Sequence, residues 1–262
     1  MEFETKRLIL RPWNENDAEE CYKYAKDPKV GPAAGWPAHK NIDETVYVIK
    51  NILMVPETYA IVLKETDLPV GSIGLHFHSD LAKSDDEAEL GYWLGTPYWG
   101  QGLAPEASRE LLRHAFMDLK LRNVWCGYYD GNEKSKRVQE KLGFVHQWVS
   151  EDVPVPQMGE VRKGHANLMT REQWICMRIK EMESILDTAN ARIAALEKAS
   201  DELRDYQFEI QKLEAFYTSD EWKEAFALDE AGKLPQDLKR GVLSEDGIYD
   251  MLERNTAVRP KD

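Results

Sequence analysis

The residues best suited to chemistry lie in the stretch 89–107. Glu89 opens an alternating segment that predicts a strand as far as Leu94. A loop with Gly100 and Gly102 follows, and a proline then stands near the first turn of an amphipathic helix. Because glycines allow close backbone approach and the first N–H groups of a helix lack partners, this arrangement could bind an anion. The alternative is a loop whose glycines serve only its turn.

Composition and charge argue against several classes of partner. The chain of 262 residues has a net charge of −13 and no basic stripe, so nucleic acid and anionic membranes are poor partners. An amine or a positively charged polypeptide suits such a surface better. The odd number of cysteines argues against a disulfide framework, and neither cysteines nor histidines have metal-ligand spacing. Because no apolar segment approaches membrane-spanning length and the N-terminus lacks a signal core, we expect a cytoplasmic protein.

Strands and helices are interspersed through the first part of the chain. The predicted strands are 8–10, 59–63, 70–77, 89–94, 123–129, 144–149 and 161–169. The predicted helices are 14–24, 42–53, one that begins near Pro105, and 132–142. Two connections, 31–39 and 153–159, contain prolines and glycines and are predicted to be long loops. This order predicts an α/β or α+β domain.

The remainder of the chain has no strand signal, and we place a domain boundary between 1–174 and 175–262. Apolar residues from Met182 onward recur at spacings of four and three, which predicts one long helix or two with a break near 200–201. Thr218 is predicted to open a capping box for a further helix, and Ser244 to cap a last one. The heptad-like stripe could pack on the first domain, fold back on itself or pair with another subunit in a homo-oligomer.

Four segments of the first domain resemble, in order, motifs of the GNAT superfamily of acetyl-CoA-dependent N-acetyltransferases. They are 4–13 for the opening strand, 89–104 for the acyl-CoA loop and its strand, 132–144 for the second motif, and 170–174 for the closing strand end. The ribosomal-protein N-terminal acetyltransferases are the most similar branch. The resemblance implies a mixed, largely antiparallel sheet with helices on both faces, followed here by an all-α C-terminal domain. It also implies acetyl-CoA as the acetyl donor.

The same resemblance assigns the residues that would hold coenzyme A. Main-chain N–H groups of one loop would bind the pyrophosphate, and its residues are Trp99, Gly100, Gln101, Gly102, Leu103 and Ala104. Trp99 departs from the Gln or Arg usual in the family, which removes one side-chain contact. Pantetheine would lie along the strand residues Tyr92, Trp93 and Leu94, in a gap where two parallel strands splay. From the second motif, the coenzyme would contact Asn132, Ser135 and Arg137. Asn132 could instead simply cap its helix.

Acetyl transfer requires a base for the amine, a donor for the developing oxyanion, and a proton or hydrogen bond for the departing thiolate. Many family members use a tyrosine for the last role, but the corresponding residue here is Gln139. In this branch a serine can serve instead, which points to Ser135. The first choice of base is Glu89, with a solvated strand-end acid as its alternative. Glu106 lies in a first helical turn and is assigned a structural role.

The acceptor pocket is expected between the loops 31–39 and 153–159, with Trp36 in its wall. His76 could line it, although an exposed strand face would explain this histidine equally well. No cysteine lies in the motifs, so we expect direct transfer to a primary amine, either a polypeptide N-terminus or an amine-bearing small molecule. The competing class is a non-catalytic acyl-CoA-binding sensor or interaction protein that signals through the helical tail.

The tail itself resembles a small uncharacterised family of helical domains. The resemblance is carried by 212–217, 219–222 and 240–249. No nucleophile–base pair or metal cluster is visible in this sequence. It is therefore interpreted as a packing or dimerisation module, or as a recognition module that brings a protein substrate to the first domain.

Overall fold

The computed structural model describes residues 1–258. The chain forms two compact units. The first unit is Met1–Arg178 and the second is Ile179–Asp262. A single helix, Arg171–Asp205, begins in the first unit and ends in the second. The boundary proposed from the sequence, after residue 174, lies within this same helix and stays a prediction.

Residues 1–178, all of which are described, contain an eight-stranded sheet in the order β1-β2-β3-β4-β5-β6-β8-β7. Only β5 and β6 pair in parallel, and every other neighbouring pair is antiparallel. The predicted mixed, largely antiparallel sheet is therefore confirmed. The strands are β1 Phe3–Glu4, β2 Leu8–Pro12, β3 Thr58–Leu63, β4 Leu68–His76, β5 Glu87–Leu94, β6 Asn123–Tyr129, β7 Val145–Val155 and β8 Glu160–Thr170.

Helices cover both faces of this sheet, as predicted. On one face, α3 and α4 pack over a core that includes Leu90, Leu111 and Phe116. On the other face, α1 and the wider π-helical turn after α2 pack over a smaller core that contains Trp13 and Ala60. The helices are α1 Ala18–Ala25, α2 Ile42–Val48 with its extension Ile49–Leu53, α3 Leu103–Arg113 with its extension His114–Asp118, and α4 Glu133–Leu142.

The predicted loop 153–159 is wrong over its first three residues. Strand β7 continues to Val155, and Val153 is in register with Arg162 of β8, so the connection is a tight turn. Proline favours a loop in a sequence pattern, but Pro154 lies in an edge strand. An edge strand tolerates the missing N–H because only one of its sides is hydrogen-bonded.

The second unit is helical, as predicted. Its remaining helices are α6 Gln207–Tyr217, α7 Asp220–Glu230 and α8 Glu245–Val258, after α5 Arg171–Asp205. Of the two alternatives, one long helix or two with a break near 200–201, the structure has two helices, but the break lies at Tyr206 because α5 continues to Asp205. Serine and aspartate are only mildly unfavourable in a helix interior, so they do not stop it.

The residues that cap the last two helices are both serines. The predicted capping box at Thr218 is wrong, because Ser219 Oγ accepts the Trp222 N–H at 3.2 Å while the Thr218 hydroxyl donates to the preceding helix. Ser244 Oγ accepts the Gly247 N–H at the start of α8, as predicted. Among the described residues, no helix combines the length and apolar character needed to cross a membrane.

Candidate active site

The two parallel strands at the centre of the sheet part after a short paired segment. β5 and β6 are in register only from Glu87 with Asn123 to Glu89 with Trp125, although both strands continue beyond this point. Inside the resulting gap, the Cys126 thiol donates to the Leu90 carbonyl at 3.2 Å. The predicted gap is therefore present, and it leaves the β6-facing edge of 91–94 open to a ligand.

The glycine loop lies between the open end of β5 and the start of α3. Gly100 and Gly102 both have φ of +76°, a conformation that favours glycine. A Cβ at Gly100 would meet no heavy atom within 4 Å, so the space beside this backbone is free. No side chain of this fully described segment caps α3 at Gly102, which leaves N–H groups of the first turn available. These features fit a bound pyrophosphate.

Side chains of the loop hold its shape. Trp99 Nε1 donates to the Leu94 carbonyl at 2.8 Å, and Lys134 Nζ lies 3.5 Å from the centroid of the Trp99 ring. Gln101 Nε2 donates to the Pro97 carbonyl at 2.8 Å. Thus the tryptophan that departs from the family pattern ties the loop to the strand end. The next two residues, Leu103 and Ala104, are buried in the core and offer a ligand only their main chain.

Arg7, which was not predicted as a site residue from the sequence, contacts both the glycine loop and the first turn of α3. Its Nη1 donates to the Gln101 carbonyl at 3.0 Å, and its Nε donates to Glu106 at 2.7 Å. The Thr5 hydroxyl and the Arg7 N–H also donate to Glu106, and these bonds hold the pKa of this carboxyl below its ordinary value despite partial burial. All of these partners fit the structural role assigned to Glu106.

Tyr92 and Ser135 meet on the α3 and α4 side of the sheet. The Tyr92 hydroxyl lies 3.1 Å from Ser135 Oγ, and Gln139 Nε2 donates to the same Oγ at 3.1 Å. Gln139 also donates to the Gly127 carbonyl and accepts from Asn167 Nδ2 at 2.6 Å. The glutamine at the position of the family tyrosine therefore orients Ser135. Burial raises the pKa of Tyr92, so its hydroxyl stays protonated.

The other two residues predicted from the second motif lie at the ends of this arrangement. Asn132 Oδ1 accepts the Ser135 N–H at 3.1 Å, which is the helix cap left open as an alternative, and its Nδ2 donates to the Ala33 carbonyl. Arg137 is exposed on α4. The structure thus gives Asn132 a structural role in addition to any contact with a ligand. The contacts of Asn132 and Arg137 with coenzyme A stay predictions.

Glu89 lies on the opposite face of the sheet from Tyr92. Its register partners are His76 in β4 and Trp125 in β6, and its Oε1 is 3.5 Å from the position of a Cβ on Gly127. Burial raises the pKa of Glu89, Asp80 raises it further, and a Ser79 hydrogen bond opposes both. A half-buried carboxylate with a raised pKa suits a general base.

Two neighbours of Glu89 complete this face. His76 is exposed at the end of β4, as the alternative for this histidine has it, while its ring lies over Gly91 with Nε2 2.8 Å from the position of a Cβ there. Partial desolvation of the ring lowers the pKa of His76, so it is neutral near pH 7. Tyr129, which was not predicted, has a pKa raised by burial and, among other charges, by Glu89. The alternation of β6 could have placed Tyr129 on this face from the sequence, because Trp125 is in register with Glu89 and residues 127 and 129 follow on the same face.

The two predicted walls of the acceptor pocket meet beside this face. They enclose a cavity of about 170 Å³ whose floor includes Trp93. Trp36 lies with its ring centroid 5.8 Å from that of Trp93, and Trp13 stacks on Trp93 at 6.3 Å. Glu44 is the acidic residue in the wall, and Gln157 comes from the β7–β8 turn. Trp93 therefore directs its side chain into this cavity, and only its main chain can follow a ligand in the gap.

His165 in β8 lies outside the cavity that contains Trp93. His165 Nε2 is 2.9 Å from Asp130 Oδ1, and its ring stacks on Tyr128 with centroids 4.5 Å apart. In the described part of the chain, no group of three or more His, Cys, Asp or Glu side chains is placed to hold a metal ion.

Comparison with known proteins adds two family matches. The model of the acetyltransferase (GNAT) domain matches residues 7–145. A second model, the domain of unknown function DUF4298, matches residues 179–259.

Individual relatives cover the first unit. An uncharacterized N-acetyltransferase p20 of Bacillus licheniformis is 26% identical over 153 residues, which are 56% of this chain and 84% of that protein. The ribosomal-protein-serine acetyltransferase of Escherichia coli K12 is 27% identical over 145 residues, 53% of this chain and 79% of that protein. A GNAT-family acetyltransferase structure from Bacillus anthracis has a TM-score of 0.59 at 22% identity and covers 66% of this chain and 99% of that one. This last likeness shows the fold alone.

Proposed function

Since this chain belongs to the GNAT family of acetyltransferases, we propose that it transfers the acetyl group of acetyl-CoA directly to a primary amine. The observation that carries this proposal is the parting of β5 and β6 after Glu89. The gap leads from an anion-binding loop at one end of β5 to a carboxylate with a raised pKa at the other. A donor and an acceptor could thus approach the same strand from opposite faces of the sheet.

The donor side is assigned to the loop and the open strand edge. Acetyl-CoA supplies an activated acetyl thioester when bound. Main-chain N–H groups of 99–104 would hold its pyrophosphate, and the free edge of 92–94 would offer main-chain groups to pantetheine. Arg7 and Lys134, which flank the loop, add positive charge near this phosphate site. We assign this activity to the proposed domain 1–174.

Glu89 is the proposed general base. It would accept a proton from the attacking amine, either directly or through one water molecule. The raised pKa makes the carboxylate a better proton acceptor than an exposed glutamate. Gly91 and Gly127, which flank Glu89 on this face, carry no side chain; the His76 ring lies over Gly91 and the Leu81 side chain lies against Gly127.

Ser135 is the proposed donor to the departing sulfur. Because Gln139 donates into Ser135 Oγ, the serine proton is free to point either to Tyr92 or toward the gap. The Tyr92 hydroxyl, held protonated by burial, can donate a hydrogen bond to Ser135 Oγ while the serine donates its own hydrogen bond to the sulfur. The base and the acid would then lie on opposite faces of the sheet, with Gly127 between them.

The acceptor is proposed to be a polypeptide N-terminus or an amine-bearing small molecule. The pocket that contains Trp93, on the same face of β5 as Glu89, is lined by two tryptophans and carries Glu44, which suits an apolar group next to a positively charged one. The E. coli relative is named for a ribosomal protein, so ribosomal-protein N-termini belong in the first set of candidates.

The test is acetyl-CoA turnover against a panel of amines and N-terminal peptides. We expect acetylation of at least one primary amine, with loss of turnover and retained coenzyme A binding in Glu89→Gln. Coenzyme A binding without acetylation of any amine would contradict the proposal and favour a non-catalytic acyl-CoA sensor.

A further inference from the structure

Helix α5 carries an apolar seam with the period of a coiled coil. The spacings alternate between four and three residues over three heptads, and the seam ends before the polar Ser200. A repeat of 3.5 residues keeps one face of a helix in continuous contact with a similar helix. The seam residues are Ile175, Ile179, Met182, Leu186, Ala189, Ile193 and Leu196.

The large side chains of this seam are exposed to solvent. Leu196 is 72% exposed, Ile179 55%, Ile193 54% and Leu186 53%. Beyond the first turn, the other faces of the helix carry mainly charged, polar and small residues, such as Lys180, Asp187, Ala191 and Lys198; the apolar exceptions are Met177 and Ile185, which directly precedes Leu186 of the seam. A continuous apolar stripe of this length on a largely polar helix marks an interaction surface.

The charges beside the seam select its partner. In the heptad repeat, the a positions of the seam are 179, 186 and 193, and its d positions are 175, 182, 189 and 196. Arg178 and Arg192 stand at g positions, directly before 179 and 193. Glu183 and Glu197 stand at e positions, directly after 182 and 196. In a parallel two-stranded coiled coil, each g residue faces the e residue five positions later in the other helix. A second copy of α5 therefore places each arginine opposite a glutamate.

An antiparallel pair would bring like charges together. In that arrangement g positions face g positions and e positions face e positions, so arginines would lie near arginines and glutamates near glutamates. Two of the three a positions, Ile179 and Ile193, are β-branched and Leu196 stands at d, a combination that favours two parallel strands; Leu186 at a and Ile175, Met182 and Ala189 at d complete the core. We propose that two copies of this chain associate through α5 as a parallel two-stranded coiled coil.

The first experiment measures the mass of the full chain in solution by light scattering over a range of concentrations. We expect twice the chain mass for the unmodified protein and the single-chain mass for Leu186→Glu. Ala191→Glu, which adds the same charge on the outer face of the same helix, should keep the doubled mass. Far-UV circular dichroism of each variant verifies that the helices remain folded. A single-chain mass for the unmodified protein at every concentration would overturn the proposal.

A charge-reversal series tests the orientation. Glu183→Arg with Glu197→Arg should dissociate the dimer, because arginines would then face Arg178 and Arg192 of the partner subunit. Adding Arg178→Glu and Arg192→Glu to the same chain should restore it. In an antiparallel pair, Glu183→Arg with Glu197→Arg only replaces facing glutamates by facing arginines, so the dimer would not be weakened. An unweakened dimer would therefore contradict the parallel arrangement.

A cysteine at one end of the seam provides an independent readout. Met182→Cys in a Cys176→Ser background places the new thiol at a d position, which faces its own copy only when the helices are parallel and in register. Oxidation should then give a covalent dimer. A dimer that fails to cross-link at this position overturns the parallel register.

Discussion

The Tyr92 hydroxyl lies 3.1 Å from Ser135 Oγ, so the strand that borders the gap is joined to the first turn of α4. Gln139 fixes the same serine from one helical turn further on, at 3.1 Å. These contacts give Ser135 a defined position beneath the open edge of β5. The account of leaving-group protonation depends on this position, because a hydroxyl must be oriented before it can donate to the departing sulfur.

The first prediction concerns this pair. Tyr92→Phe and Ser135→Ala should each lower kcat, and the double variant should lose less than the sum of the two in free energy. The coupling is expected to be about 0.5–3 kcal/mol, as for residues in one hydrogen-bond network. The measurement is kcat for the four proteins of a double-mutant cycle. As a control, the effects of Tyr129→Phe and Ser135→Ala on kcat should be additive in free energy, because the two residues lie on opposite faces of the sheet. Additivity in the Tyr92 cycle would show that the hydroxyls act independently.

The second prediction concerns the glycine loop. Gly102→Ala should weaken coenzyme A binding roughly tenfold, since a side chain at φ of +76° costs about 1–2 kcal/mol and shifts the N–H groups that hold the phosphate. Isothermal titration calorimetry with coenzyme A gives the Kd. Gly159→Ala, at φ of +66° in the β7–β8 turn, is the control for backbone strain alone. Equal affinities for Gly102→Ala and the unmodified chain would exclude this loop as the phosphate site.

The third prediction concerns Arg7. Arg7→Met should raise the Kd for coenzyme A by up to roughly tenfold, because the loop loses the guanidinium that holds the Gln101 carbonyl and adds positive charge. The effect should diminish as salt is added, since charge is part of the contribution. Lys6→Met, the neighbouring cation, is the control and should leave the Kd unchanged. A salt-independent loss would assign Arg7 a purely structural role through Glu106.

The fourth prediction concerns the acceptor pocket. Trp36→Ala should raise KM for the amine roughly tenfold, equivalent to about 1.4 kcal/mol, and leave KM for acetyl-CoA unchanged. The reason is that Trp36 and Trp93 form one aromatic wall on the acceptor face, away from the glycine loop. Steady-state kinetics with each substrate varied in turn separate the two constants. A rise in KM for acetyl-CoA instead would place this wall on the donor side.

Local sequence patterns predicted the parts of the site that lie along single elements. The alternation of β5 placed Glu89 and Tyr92 on opposite faces, and the glycines and proline near 100–105 located the start of α3. Contacts between elements could not be predicted in this way. The Tyr92–Ser135 pair depends on how α4 is rotated against the sheet, which is decided by the packing of Val138 and Leu142 in the core.

Other differences arose where a local rule was outweighed by its surroundings. Pro154 suggested a loop, but the sheet edge accommodates it in a strand. Thr218 and Ser219 are both good N-cap residues, and sequence alone did not decide between adjacent candidates. Arg7 lies far from the loop in sequence, so its contact with Gln101 required the fold.

The pH dependence of kcat/KM for the amine, measured for the unmodified chain and Glu89→Gln, tests the central claim most directly. A base must be deprotonated to act, so activity should fall as the pH drops through a pKa raised above the ordinary glutamate value. Asp80→Asn should move this acid limb to lower pH by removing a neighbouring negative charge. In Glu89→Gln the limb should disappear and the rate at its plateau should fall roughly 10²–10⁴-fold, with coenzyme A affinity unchanged. An unchanged acid limb and rate in Glu89→Gln would contradict the account.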